Sequence, residues 1–107
     1  MDIEFYKKGS KEVVCDFIEN LKNNEDKRKI IKELERLRRE DLKKLLRVKI
    51  VKKIEDNLYE LRPNNIRIFF IIFKDVYYLL HIIIKKRDKI PRKDLNIART
   101  RKKEIII

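Results

Sequence analysis

Residue types that build metal sites, disulfides and phosphate-binding loops are almost missing from this sequence. Its 107 residues include one cysteine, one histidine, one glycine and no tryptophan. A lone Cys15 excludes an intrachain disulfide and a cysteine zinc site. A lone Gly9 excludes a glycine-rich phosphate loop. His81 lies far from Cys15 in the sequence, so we expect no metal, no cofactor and no Cys–His catalytic pair.

Long apolar segments without charge are also missing. The most apolar stretch covers residues 66–84, and burying its polar side chains in a bilayer would be costly. These side chains are Arg67, Lys74, Asp75 and His81. Asp2 and Glu4 stand where a signal peptide would begin its apolar core. We therefore expect one cytoplasmic domain over residues 1–107, with no membrane partner.

Positive charge is what the sequence has in excess. Thirty Lys and Arg residues outnumber 18 Asp and Glu residues, which gives a formal net charge of +12. Within residues 85–103, ten basic side chains face only two acidic ones. Such an excess implies an anionic partner, with nucleic acid as the leading candidate. A proteome rich in lysine would explain the total charge, but it would not explain this clustering.

Hydrophobic spacing predicts an α+β domain. Residues 2–6 alternate as a short strand, and apolar stripes at helical spacing then predict two helices before residue 47. Strands are predicted over residues 48–53, 58–62, 66–73 and 76–84, with turn residues between them. Pro91 suits the first position of a C-terminal helix, in which Leu95 and Ala98 would be buried.

The last two predicted strands carry most of the candidate chemistry. If residues 74–75 form a two-residue hairpin loop, the resulting register places Arg67 and Lys86 on one face of the sheet. His81 and Lys85 then lie on the other face. A loop of three residues would reverse this relation.

Two arginines stand out at strand positions. Arg67 interrupts an apolar strand, and Arg62 ends the strand before it. Either guanidinium could bind a phosphate with its planar fork. The alternative for both is an ion pair with Glu60, while Arg62 could also pair with Asp56 and Arg67 could reach water at the strand end. The sequence leaves these alternatives open.

His81 could act as a general base near neutral pH. Its position among leucines and isoleucines instead favours a packed strand residue. A basic run begins where the last predicted strand ends and continues along the final helix. A charged run is usually only a solvated surface, but the continuation of this one along a single helix favours a polyanion-binding surface. Its members are Lys85, Lys86, Arg87, Lys89, Arg92, Lys93, Arg99, Arg101, Lys102 and Lys103.

Several motifs in the second half of the chain occur together in one known superfamily. Residues 58–62 are Leu-Tyr-Glu-Leu-Arg, and Ile-Arg-Ile follows at 66–68. The next strand ends with Leu-Leu-His-Ile-Ile-Ile-Lys-Lys at 79–86, and Pro91, Ala98 and Arg101 come after it. In order and spacing these residues resemble the RelE/ParE toxin superfamily, most closely its HigB-like, phage-related branch.

The resemblance implies a RelE-like fold, with a twisted antiparallel sheet of about four strands, two N-terminal helices and a C-terminal helix. It implies the toxin of a type II toxin–antitoxin system, neutralised by a cognate antitoxin such as a small helix-turn-helix protein. Many relatives cleave mRNA on the ribosome without metal, because the substrate's own 2′-hydroxyl attacks the adjacent phosphate. By residue match, Arg62 and Arg67 would stabilise the transition state and Lys86 would assist the leaving group.

The sequence also departs from the family pattern. Ile83 stands where the family's His-x-Phe motif has phenylalanine, and no tyrosine follows Lys86. Leu58 and Glu60 stand where some relatives have a lysine pair. A related branch poisons DNA gyrase and cleaves nothing. A gyrase inhibitor and a basic nucleic-acid-binding module without toxicity are therefore the alternative functions.

Overall fold

The chain forms four helices and seven strands, and the structure, a computed structural model, describes all of residues 1–107. In chain order the elements are β1 (Asp2–Phe5), β2 (Lys7–Lys8), β3 (Lys11–Glu12), α1 (Val13–Glu19), α2 (Asn24–Arg39), α3 (Leu42–Arg47), β4 (Val51–Glu55), β5 (Leu58–Leu61), β6 (Ile66–Phe73), β7 (Val76–Ile84) and α4 (Arg92–Ile106). The predicted α+β class is confirmed. No helix combines the length and the apolar character needed to cross a membrane.

The main sheet has five strands in the spatial order β1-β7-β6-β5-β4. Strands β4 to β7 form the predicted antiparallel meander. Strand β1 joins the far edge parallel to β7, with Ile3 beside Tyr77. The prediction of about four antiparallel strands is thus corrected to a mixed sheet of five, because β1 pairs with the last strand and not with its sequence neighbours. Strands β2 and β3 form a separate small ribbon.

Three helices precede the meander, where the sequence predicted two. Asn23 caps α2 by accepting hydrogen bonds from the backbone N–H groups of Glu25 and Asp26. Helix α2 ends at Arg39, and Asp41 then caps α3 by accepting from the backbone N–H of Lys43 at 3.2 Å. The break lies where the apolar stripe changes phase, so two helices each turn their own apolar side to the core.

Apolar residues are buried on both faces of the sheet. Helices α1, α2 and α3 contribute Val14, Ile30, Leu37 and Leu45 to one cluster, together with Ile68 and Phe70 of β6. Helix α4 covers the other face, where Ala98 packs with Leu58, Phe69, Ile71 and Leu80. The predicted burial of Ala98 is confirmed, and Leu95 packs against the same cluster. Apart from Arg67, strand β6 is therefore apolar on both faces and shows no alternation.

The hairpin between β6 and β7 has the predicted two-residue loop but not the predicted register throughout. Phe73 pairs with Val76 as expected, and the loop residues have the left-handed backbone that such a turn requires. The register then shifts between Phe69 and Phe70 because Leu80 is an extra residue in β7, a β-bulge.

The bulge reverses the predicted relation between Arg67 and the two lysines. Arg67 pairs with Ile83, and Phe69 pairs with His81. Arg67 thus shares a face with His81 and Ile83, and alternation extends that face to Lys85. The prediction that Arg67 shares its face with Lys86 is wrong, since one inserted residue exchanges the two faces.

Candidate nucleic-acid interface

The candidate site forms where three segments meet at one end of the sheet. In an antiparallel meander, the end of β5, the start of β6 and the end of β7 lie side by side. The backbone N–H of Lys85 donates to the carbonyl of Asn65 at 2.6 Å, which ties the end of β7 to the β5–β6 loop. This topology brings together Arg62, Arg67 and Lys85.

Arg67 is only 8% exposed and is held by backbone carbonyls. Its Nη1 donates to the carbonyl oxygens of Asn64 and Ile66, each at 2.8 Å. Burial lowers the pKa of Arg67, the negative charge of Glu60 opposes that change, and the positive charge of Arg62 adds to it. Nη2 has no acceptor within the chain and is not among the buried nitrogen atoms. It is therefore the donor that Arg67 retains for a ligand.

Arg62 lies just beyond β5 with its side chain 30% exposed. Its Nε is 3.6 Å from Oε1 of Glu60, so the ion pair considered from the sequence is present. The side chain also lines a groove of about 350 Å³ beside β4, together with the cations Lys49, Lys52 and Lys53. No carboxylate lines this groove. Arg62 therefore connects the buried Glu60 to a cationic surface.

Four unpaired cations surround a depression beyond the end of β7. The depression has a volume of about 230 Å³, and its cationic lining consists of Lys85, Lys86, Arg87 and Lys89. Its single acidic residue is Asp94, which is already bound to His81. Four cations thus face one carboxylate in the depression, and none of the four forms an ion pair.

His81 has both ring nitrogens engaged. Its Nε2 lies 2.8 Å from Oδ1 of Asp94, and its Nδ1 lies 3.4 Å from Nη1 of Arg101. One neutral tautomer satisfies both contacts, with Nε2 donating and Nδ1 accepting. Burial lowers the pKa of His81, and the bond to Asp94 opposes this change. The ring also stacks on Phe69, so the geometry favours the packed-residue interpretation over a general base.

The cations of α4 differ from those of the depression. Arg92 and Lys93 are exposed in the first turn. Arg99 donates from Nε and Nη2 to Oε1 of Glu55 and from Nε also to Oε2. Glu55 lies at the opposite end of β4 and β5 from Arg62. Arg101 donates to the carbonyl of Leu80 at 2.7 Å and lies over the ring of Tyr6. Arg99 and Arg101, predicted as phosphate ligands, thus make bonds that fasten α4 to the sheet.

The sequence indicated Glu60 only as an ion-pair partner for the two arginines at this end. It is 2% exposed and lies between the two arginines. The signal available in the sequence was a charged residue inside the apolar strand Leu58–Leu61. No group of three or more His, Cys, Asp or Glu side chains could hold a metal ion.

An α+β domain with a cationic sheet end, a buried Arg67 and a partly exposed Arg62 is suited to binding a polyanion. Residues 16–103 match the family model described as phage-derived protein Gp49-like (DUF891), and the chain belongs to this family. The family is associated with RelE-like toxins of toxin–antitoxin systems, so the resemblance is confirmed at that level and an antitoxin is the expected partner. No curated protein matches the chain.

Proposed function

We propose that the chain is a type II toxin of the HigB-like branch, which cleaves mRNA on the ribosome without a metal ion. The observation that carries this proposal is the convergence of Arg62, Arg67 and Lys85 at one sheet end, beside a depression lined by unpaired cations. Its context is the match to a family associated with RelE-like toxins.

The proposed reaction needs charge stabilisation more than it needs a nucleophile from the protein. The 2′-hydroxyl of the RNA attacks the adjacent phosphorus and loses its proton to solvent, while the bond from phosphorus to the 5′-oxygen breaks. Nη2 of Arg67 and the exposed end of Arg62 bind the phosphate oxygens as their negative charge grows. A 2′,3′-cyclic phosphate and a 5′-hydroxyl are the products.

A lysine at this end protonates the leaving 5′-oxygen. The corrected register favours Lys85 for this role, because it extends the face of β7 that carries the partner of Arg67. Lys86 is the adjacent candidate at the rim of the depression. His81 is not needed as a base, since both its nitrogens are engaged.

The depression binds the neighbouring stretch of RNA backbone. Lys85, Lys86, Arg87 and Lys89 supply charge there, and phosphate contacts of this kind position a nucleic acid without reading its sequence. Helix α4 begins beside the depression and has no side-chain cap at Pro91, so its first N–H groups add partial positive charge.

Primer extension on a reporter mRNA in a reconstituted translation reaction tests the proposal. Wild-type protein should produce discrete cuts that require ribosomes. Arg67→Ala should reduce cutting by about 10²- to 10³-fold, as for loss of one donor to a developing oxyanion. Arg62→Ala, at a more exposed side chain, should act in the same direction.

Arg28→Ala is the matched control, because this arginine is 78% exposed on α2 and far from the site in the sequence. It should cut like the wild type. Circular dichroism establishes that each variant is folded. Folded wild-type protein that leaves the mRNA intact would contradict the nuclease proposal, and inhibition of DNA gyrase supercoiling would then be measured.

A further inference from the structure

One buried carboxylate joins the two arginines of the proposed site. Glu60 pairs with Phe69 across β5 and β6, so its side chain lies on the same face as Arg67. Its Oε1 is 3.6 Å from Nε of Arg62 and 4.0 Å from Nε of Arg67. A single oxygen atom thus lies between two guanidinium groups.

These contacts are too long to be hydrogen bonds. Nε of Arg62, Nε of Arg67 and Oε2 of Glu60 are all buried without a hydrogen-bond partner. By contrast, Arg36 and Glu40 of this chain approach to 2.7 Å. Ion pairs that serve stability close to such distances. The cluster of Arg62, Glu60 and Arg67, called the rim triad below, is therefore not arranged for the strongest pairing within the free protein.

The charges of the rim triad explain why a carboxylate stands there. Two guanidinium groups at one end of a sheet repel each other, and burial adds a cost for Arg67. The negative charge of Glu60 acts against both effects on Arg67. The triad keeps one net positive charge, which matches the single negative charge of a phosphodiester. Both Nε atoms lie within 4.0 Å of the same Glu60 oxygen, so the two guanidinium groups are close neighbours.

We propose that Glu60 is a positioning residue that spaces Arg62 and Arg67 so that both bind the same phosphodiester of single-stranded RNA. This inference rests on the proposed function and names the residue that assembles its site. When the phosphate binds, the two contacts between Nε and Oε1 shorten to hydrogen-bond length, as catalytic hydrogen bonds that are long in the free enzyme often do.

Glu60→Gln tests the inference, because it removes the charge and keeps the shape. In the reconstituted reaction, the single-turnover rate constant for cleavage should fall by about 100-fold, as expected when a reacting group is misplaced by about 1 Å. The ribosome concentration that gives half of the maximal rate should not change, because the depression still binds RNA. Glu60→Asp moves the carboxylate away from the arginines, and its rate constant should lie between those of Glu60→Gln and the wild type.

Glu33→Gln is the matched control. Glu33 is also 2% exposed and also has a buried oxygen without a hydrogen-bond partner, but it lies on α2. Its substitution should leave the rate constant unchanged even if the melting temperature falls. A folded Glu60→Gln protein that cleaves at the wild-type rate would overturn the inference and leave the nuclease proposal intact.

A second readout does not depend on cleavage. In ¹⁵N-labelled protein, the Nε–H resonances of Arg62 and Arg67 are followed by NMR during titration with a 2′-O-methyl RNA oligonucleotide, which cannot be cut. Both resonances should shift along one saturation curve in the wild type, and Glu60→Gln should abolish the common curve. If wild-type protein shows this behaviour but cuts nothing, the positioning role stands and the nuclease proposal fails. Independent curves in the wild type would overturn the positioning role.

Discussion

The basic stretch of residues 85–103 divides into two regions that look alike in sequence and differ in structure. In the connection between β7 and α4, none of the four cations around the depression forms an ion pair. In α4, Arg99 binds Glu55, Arg101 binds the carbonyl of Leu80, and Lys102 binds the carbonyl of Asp56. Charge density alone therefore does not identify a ligand-binding surface. The decisive property is whether each cation already has a partner.

The position of each region relative to the sheet explains the difference. Helix α4 lies on an apolar face through Ala98, and Arg99 and Arg101 of this helix reach polar groups of the sheet, the Glu55 carboxylate and the Leu80 carbonyl. The connection instead leaves the sheet at the end of β7. Unpaired cations gathered there raise the local positive potential, which attracts polyanions.

Among the substitutions that test this comparison, Arg101→Ala in α4 should have the largest effect. It removes a charged hydrogen bond to Leu80 and a contact with the ring of Tyr6, so the free energy of unfolding should fall by about 2–4 kcal/mol. Urea unfolding measures it. Lys103→Ala, an exposed cation on the same helix, should change the value by less than about 0.5 kcal/mol. If both variants lost the same free energy of unfolding, the distinction between cations bonded to the sheet and cations without a partner would be wrong.

Cations of the connection between β7 and α4 should instead contribute to RNA binding. Lys86→Ala/Lys89→Ala should lower affinity for a single-stranded RNA oligonucleotide by roughly 25-fold at about 0.1 M salt, and should reduce the slope of log K against log salt by about 1.4. Arg99→Ala/Lys102→Ala removes the same charge from bonded positions and should alter the slope much less. Similar slopes would indicate that overall charge, and not the depression, governs binding.

Much of the fold could be predicted because periodicity and turn chemistry are local. The meander, the two-residue hairpin and the C-terminal helix after Pro91 all follow from such signals. The bulge at Leu80 could not be predicted, since β6 and β7 are apolar on both faces and an extra residue disturbs no alternation. The parallel pairing of β1 depends on contact between the N-terminal strand and β7, the last strand of the meander, and no local sequence signal predicts it.

The sequence likewise predicts part of the candidate site, namely the positions of its two arginines. The sequence places Arg62 and Arg67 near strand ends, and the topology brings them to one end of the sheet. Which cations are bonded could not be predicted, because Arg99 meets Glu55 only when α4 crosses the sheet. The burial of Glu60 depends equally on its neighbours across β5 and β6.

The smallest expected effect is a pH dependence of stability that arises from His81, which contacts Asp94 and Arg101 of α4. His81 faces Asp94 and Arg101, and burial lowers its pKa below the ordinary 6.5. Between the pKa of His81 in the folded protein and 6.5, the unfolded chain binds more protons than the folded protein. The contribution of His81 to the free energy of unfolding is therefore complete above pH 6.5. It is lost as the pH falls towards the pKa in the folded protein. The slope cannot exceed about 1.4 kcal/mol per pH unit for one proton.

Urea unfolding between about pH 7.5 and pH 5.5 isolates this slope, because carboxylates titrate mainly below that range. His81 is the only histidine, so His81→Asn should remove most of the decline. The carboxyl of Glu40, whose pKa is lowered to about 2 by its bonds to Arg36 and Lys44, affects stability only at far lower pH. Wild-type protein that gains stability on acidification would mean that Asp94 outweighs burial. His81 would then be a cation of the bonded group and not a neutral ring.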